Sequence, residues 1–502
     1  MQNLVTRLGT RESLNFFALL FLAAVILCGQ IQNEVIYSVD GIVYALIGKE
    51  LALRPLLEWA VPTWNHQPFY EHPPLMPWLL ALSFKALGIS TLAALLVPVT
   101  LSLGTVAVTY GIGRVLGGPP FGLLAGAALT LTPQFVKDGR NPMLEPALMF
   151  FLMLTLLLHL RKHALLAGIS LALAVLSKGP PALLAPAVMA VYSIIYERQD
   201  RGALIRLGKT LVLCLILLGA FDLWHFSVAQ RSFWGAYLAS QLRFTIVESR
   251  GNATNDWTYY LAILFRYWPW LPFVLASPIA FAKKRALRPV ALVGGLVFLG
   301  TLLGFTLMSH KAAWYTGIYY GGASLLVACT LSLVLPAERI ERGFKVAVLT
   351  LCLPLLFLSA SFPGILLSFG RPFETFMEKA SHDPAHLQVS GMAVADCIPL
   401  EPWKGPFFFT FYLDATRVEC ADPQARYQLI DYRRPPTGSS TRTLFALHPF
   451  ALVTSSSNEG PTQQPNEPKA RRSHFQCGGE SRPAGPPARA PQTKVRPDQN
   501  AY

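Results

Sequence analysis

The chain has 502 residues, of which 53% are hydrophobic and only 14% charged. A soluble globular domain carries about a quarter charged residues, so the composition excludes that class and leaves an integral membrane protein. The net charge of +14 divides between short basic loops and the segment after Ser455. That segment, 455–502, is rich in Pro, Gly, Gln and Arg and reads as a disordered tail rather than a nucleic-acid arm.

Apolar runs long enough to cross a bilayer recur from Leu14 to Phe369. The first, LNFFALLFLAAVILCGQI, follows Arg7 and Arg11, and no small-residue cleavage motif succeeds it. It therefore reads as an uncleaved first span rather than a signal peptide. The expected spans are 14–31, 91–113, 120–137, 143–160, 163–177, 181–197, 208–226, 259–282, 288–308, 313–335 and 345–368. They make an all-α polytopic module over 1–370 with about eleven transmembrane helices. Segment 74–88, with Lys85 inside it, is short for a crossing and suits an interfacial helix within an outer-face loop, 32–90.

With 74–88 uncrossed and the N-terminus cytoplasmic, GRVLGG, RKH, ERQDRGALIRLGK, KKRALR and PAERIERGFK all fall on the cytoplasmic side. They hold most of the loop Lys and Arg, as the positive-inside rule requires. The loop 32–90, KDGRNPMLEP, SKGPP, 227–258, SHKAAWY and everything after Phe369 then share the opposite face. A small extramembrane α/β domain is expected over 371–454, from the β-rich runs PFFFTFYL, ARYQLIDY and TLFALHPFALV between Pro and Gly turns. Cys28, Cys214, Cys329 and Cys352 fall in apolar runs and read as small core residues. Cys397 and Cys420 are candidates for a disulfide if this domain lies outside the cytoplasm.

Polar clusters collect on the outer face. Asp40 lies in YSVDG just beyond the first span, where a cap or turn role is as common as a chemical one. YEHPPL sets Tyr70, Glu71 and His72 before two prolines, although a helix start with a favourable N-terminal carboxylate also accounts for such a stretch. In KDGRNPMLEP, Arg140 and Glu145 flank the start of a span, and a buried Arg–Glu pair tying helices together is the plainer reading. Lys178 in SKGPP ends one span where the next begins, as a snorkelling lysine would. ASQLRF adds Arg243, and SHKAAWY adds His310 and Lys311. Together these groups put cations and carboxylates on one rim of a helical bundle, the pattern of a substrate path. Arg and Lys suit a phosphate or diphosphate held at the membrane surface. A carboxylate beside it can take a proton from an acceptor hydroxyl. With apolar runs all around, the phosphate would belong to a lipid.

The order of these motifs resembles the membrane-embedded GT-C glycosyltransferases of the protein O-mannosyltransferase and aminoarabinose transferase superfamily. The match runs from Asp40 through Tyr70–Leu75, Gly139-Arg140 with Glu145, LAVLSKGP with Lys178, QLRF with Arg243, YWPWLPF and SHKAAWY to Tyr320. The resemblance implies a GT-C fold and transfer of a sugar from a dolichyl- or undecaprenyl-phosphate carrier to a lipid, glycan or protein acceptor. It implies a bacterial inner-membrane setting with the active site on the periplasmic face. By that resemblance Asp40 acts as general base or positions the acceptor, and Glu145 helps shape the catalytic site. Lys178 and Arg243 match donor-phosphate positions, and Tyr70, Glu71, His72, Arg140, His310 and Lys311 join the substrate-binding set.

Several positions depart from the family pattern. Gly41 follows Asp40 where many O-mannosyltransferases have Glu, and His72 stands where the aminoarabinose branch has Lys. Ser240 stands where that branch has a histidine, which removes one metal ligand; Glu71 and His72 could still hold a divalent ion. The alternative function is a transporter or lipid-linked-sugar flippase. It calls for inverted repeats and a midplane site, and the sequence has no internal repeat and keeps its motifs on one face. A third reading is a related enzyme that works from a diphosphate-linked oligosaccharide.

Overall fold

Every apolar run expected to span carries helix, because a backbone in hydrocarbon must satisfy its own N–H and C=O groups. The computed structural model describes residues 10–242, 256–308, 311–361, 372–383, 386–396, 409–414, 416–419, 427–431, 441–447 and 450–455. All of these belong to one compact unit that ends at Ser456. The expected disulfide pair, Cys397 and Cys420, and the tail from residue 456 lie outside the described residues.

In chain order the helices are α1 (Thr10–Cys28), α2 (Val39–Ala52), α3 (Leu75–Leu87), α4 (Thr91–Gly117), α5 (Pro119–Thr130), α6 (Pro133–Asp138), α7 (Leu144–Leu160), α8 (Ala164–Lys178) and α9 (Leu184–Tyr196). They continue with α10 (Gly202–Ala229), α11 (Phe233–Leu242), α12 (Tyr259–Leu264), α13 (Leu271–Lys283), α14 (Arg288–Thr306), α15 (Tyr319–Val334), α16 (Ala337–Ser361) and α17 (Pro372–Ser381). Among the described residues, four helical stretches, Thr91–Gly117, Gly202–Ala229, Arg285–Thr306 and Ala313–Val334, are each long and apolar enough to cross a bilayer, beside several apolar helices of 10–17 residues. Helix α10 has only 17% of its apolar window buried, against 72% in Ala313–Val334. Its Leu204, Ile205, Val212, Leu215 and Leu223 face outward, a surface suited to lipid rather than water.

Proline divides two of the expected runs. The run 120–137 stops at Thr130 and restarts as the short α6 at Pro133. The run 259–282 divides into α12, a turn at Phe265–Tyr267, and α13, with Pro269 and Pro272 at the join. Proline cannot donate to the preceding turn and clashes with it, which ends a helix there. Within the bundle α7 lies between α4 and α8, α10 packs along α8, and α15 packs against α5, α13 and α14. Segment 74–88 forms α3, which lies along α2, so the loop 32–90 is a helical pair joined through a small hairpin, β1 (Thr63–Trp64) with β2 (Gln67–Pro68).

The C-terminal piece holds a five-stranded sheet ordered β4 (Thr416–Glu419), β3 (Ala393–Asp396), β5 (Tyr427–Asp431), β7 (Phe450–Ser455), β6 (Thr441–Leu447). β3 runs parallel to β4 and β5, whereas β7 is antiparallel to β5 and β6. Phe376 of α17 packs against Phe445 and Phe450 of that sheet. One expected β run is not a strand: Phe409–Leu413 is a helical turn, and Phe411, Tyr412 and Leu413 are all buried. A strand would point alternate side chains to opposite faces, whereas a tight turn can bury three in succession. This piece docks onto the loop 32–90 side of the bundle. The Ile36 N–H donates to the Tyr412 hydroxyl at 3.2 Å, Lys49 pairs with Asp414 at 3.2 Å, and Thr91 donates to Glu378.

Candidate active site

The site begins at the N-terminus of α2. Ser38 caps that helix, its Oγ accepting from the Gly41 N–H at 2.9 Å, and the same hydroxyl donates to Asn141 Oδ1 at 3.2 Å. Gly41 makes this close seating possible. A Cβ there would stand 2.4 Å from Asn141 Oδ1 and 2.6 Å from Ser38 Oγ. Asp40 therefore sits in the first turn of a helix clamped to the 139–143 turn, where the positive end of the helix dipole favours its carboxylate.

Tyr44 follows Asp40 by four residues and so shares its face of α2. It is buried, and it is the hub of the cluster. Burial pushes its phenol well above the usual range, and Asp40, Glu145, Tyr315 and Glu71 add negative charge or potential charge in the same direction. The His72 ring stands edge-on to Tyr44, with centroids 6.0 Å apart. Three stretches remote in sequence, around residues 40, 71 and 145, thus converge on one phenol.

Lys178 closes the cluster from α8. It is the last residue of that helix, and Gly179 ends the helix with a φ of +74°, a conformation glycine adopts without strain. The Lys178 ammonium pairs with Glu145, in the first turn of α7, and lies 4.0 Å from the centre of the Tyr315 ring. The two charged side chains are 9% and 5% exposed. A charge in so dry a place needs partners to offset its lost hydration, and here a carboxylate and an aromatic face supply them.

Other sequence-predicted residues go elsewhere. Arg140 pairs with Glu34 at 3.2 Å, both side chains essentially fully buried. The buried pairs are thus Arg140–Glu34 and Glu145–Lys178, not Arg140–Glu145. Lys311 is buried and donates to the Met308 carbonyl. Tyr70 lies against Phe233 and His225 near the α10–α11 turn. Gln241 of α11 donates to the Glu71 carbonyl at 2.7 Å, tying YEHPPL to the segment that leads to Arg243. Arg243 and His310 themselves lie outside the described residues. Among the described residues no group of three His, Cys, Asp or Glu side chains gathers as a metal site.

Two contributors, Tyr315 and Asp138, lie inside the quoted motifs but are not among the candidate site residues read from them. Tyr315 is part of SHKAAWY, yet only the fold turns its ring under Lys178. Asp138, at the end of α6, is buried, and burial pushes its carboxyl up to about 7. Gln134 donates to one of its oxygens at 2.8 Å and partly opposes that rise.

The sequence profile of the dolichyl-phosphate-mannose-protein mannosyltransferase family matches residues 71–225, which carry Glu71, Arg140, Glu145 and Lys178. The fold is similar to that of ArnT from Cupriavidus metallidurans bound to undecaprenyl phosphate. That match has a TM-score of 0.65 and 16% identity, and covers 88% of this chain and 98% of the other. Two uncharacterized proteins of Aquifex aeolicus (strain VF5) are related in sequence. One is 24% identical over 37% of this chain and 39% of its own length; the other is 28% identical over 55% and 64%. The chain thus spans less than two thirds of the length of each of these relatives.

Proposed function

From a chain that carries the GT-C fold of membrane glycosyltransferases, we propose an integral membrane enzyme that moves a sugar from a polyprenyl-phosphate carrier to an acceptor hydroxyl. The observation that carries this reading is the convergence of Asp40, Glu71, Glu145 and Lys178 around Tyr44 in an ArnT-like fold. The acceptor oxygen attacks the anomeric carbon as the bond from that carbon to the phosphate oxygen breaks. The acceptor proton passes to Asp40, and the polyprenyl phosphate leaves with the bonding pair. Lys178 meets the charge that builds on the leaving phosphate, a kind of stabilisation worth about 10²–10³ in rate. By the family resemblance, Arg243, His310 and Lys311 are assigned to binding the donor, and Tyr70, Glu71 and His72 join the substrate-binding set. The transferred group is a hexose or pentose, and the setting is a bacterial inner membrane with the site on the periplasmic face.

The polar cluster gathers at helix ends, in the first turns of α2 and α7 and the last residue of α8, which favours transfer chemistry over a transport path through the bilayer. The test is transfer from a panel of polyprenyl-phosphate sugars by purified protein in lipid nanodiscs, with Asp40→Asn beside wild type. Loss of transfer with donor binding retained is expected. Transfer at the wild-type rate in the variant would remove Asp40 as the base.

A further inference from the structure

Beside the cluster lies a separate cavity of about 380 Å³. This is within the range of small-molecule sites, roughly 300–1,000 Å³. One wall is the hairpin β1–β2, whose Trp64 and Gln67 line the space and whose turn residues Asn65 and His66 both take positive φ. The floor is Phe69, Tyr70 and Glu71. The opposite wall is the face of α11 that carries Ala236 and Ser240, with Arg231 at its approach.

These walls are fixed. Asp222 of α10 caps the start of α11, accepting from the Phe233 and Trp234 N–H groups at 2.7 and 3.2 Å and from Ser232 Oγ. At its other end α11 is pinned by the Gln241 bond to the Glu71 carbonyl. The Arg231 guanidinium lies 5.3 Å over the Tyr70 ring, which holds its plane and leaves its edge for a ligand.

We propose that this cavity is an acceptor subsite for a saccharide. The inference rests on the glycosyltransferase reading and names the substrate class it leaves open. A pyranose offers apolar C–H faces and a rim of hydroxyls. Trp64 and Tyr70 supply aromatic surface for the faces, and Gln67, Glu71, Arg231 and Ser240 supply planar or small hydrogen-bonding groups for the rim. The mixture is too polar for a polyprenyl tail. It differs from the cavity between α9 and α14, which is lined by Pro180, Leu184, Gly300, Phe305 and other mainly apolar residues. Glu71 is shared by the two places: it lines this cavity and its charge also reaches Tyr44 in the cluster.

The test is saturation-transfer NMR on the full chain in nanodiscs with four soluble probes: methyl β-D-glucopyranoside, glucuronic acid, inorganic phosphate and a threonine-rich decapeptide. Saturation of the pyranosides is expected, with apparent affinity at least tenfold weaker in Trp64→Ala and in Arg231→Gln. Retention of polyprenyl-phosphate sugar by both variants should match wild type, which shows that the fold and donor site are intact. Saturation of the peptide or phosphate alone, or pyranoside binding unmoved by either substitution, overturns the saccharide subsite. Failure to bind or use any polyprenyl-phosphate sugar, with pyranoside binding intact, instead sinks the glycosyltransferase reading and leaves the cavity assigned.

Discussion

Removing both partners of the Glu145–Lys178 pair should cost little more than removing either one alone. At contact distance and an effective dielectric of about 20, the two charges attract by roughly 4 kcal/mol. Both side chains are at most 9% exposed, so each has given up most of its water. Glu145→Gln leaves a buried ammonium facing a neutral amide and the Tyr315 ring, and about 3 kcal/mol of stability should be lost. Lys178→Gln leaves the carboxylate beside Tyr44 and the other acids, with a similar loss. In the double variant no buried charge is stranded, so the cycle should return a coupling of about 2–3 kcal/mol. The assay is reversible unfolding in mixed micelles for wild type, both single variants and the double, at one pH and salt concentration. Additivity within about 0.5 kcal/mol would refute the argument, because it would mean that water reaches and screens the pair.

Two further outcomes follow from the same geometry. Burial raises the Asp138 carboxyl from 3.8 to about 7, so between those values the folded state binds more protons than the unfolded one. Stability should therefore fall as pH rises from about 4 to 7 and level off above, by an amount on the order of 2–4 kcal/mol. Asp138→Asn should flatten that slope in melting curves taken across the range, and an unchanged slope would mean the carboxyl is solvated. Gly41→Ala places a Cβ against Asn141 Oδ1 and should displace the start of α2, lowering turnover at least tenfold at a stability cost of about 1–3 kcal/mol. Adding Asn141→Ala should restore part of the turnover, measured with saturating donor; no recovery would place the fault elsewhere than in that contact.

The helical runs are legible in the sequence because hydrophobic length and the punctuation of Gly and Pro set them locally. Proline positions even locate the breaks at 131–133 and 265–270, although a reading by apolar run alone passes over them. The turn at Phe409–Leu413 is misread as a strand for the opposite reason. Aromatic β-propensity is a local quantity, whereas the turn is fixed by Tyr412 reaching Ile36, far away in the chain. Tyr44 is four residues from Asp40, a relation that means something only once 39–52 is known to be helix. The residues of the cluster are thus mostly present in the motifs, and the hub that joins them is not.

Charge pairing is where sequence proximity misleads most. Arg140 and Glu145 look like partners because they are close along the chain. The turn at 139–143 separates them: Arg140 goes back to Glu34 at the exit of α1, while Glu145 enters α7 and meets Lys178. The consequence is chemical. Arg140, spent on Glu34, fixes the turn against which Asn141 and Ser38 hold Asp40's helix, so its contribution is to position the acid. Lys178 is the buried cation beside the acids, and Glu145 is its charge partner while no donor is bound. In the glycosyltransferase reading, an arriving phosphate would have to share that lysine with Glu145. Glu145→Gln should then tighten donor binding by freeing the ammonium, which donor KM measures; a variant whose donor KM rises would show that Glu145 does not compete with the phosphate.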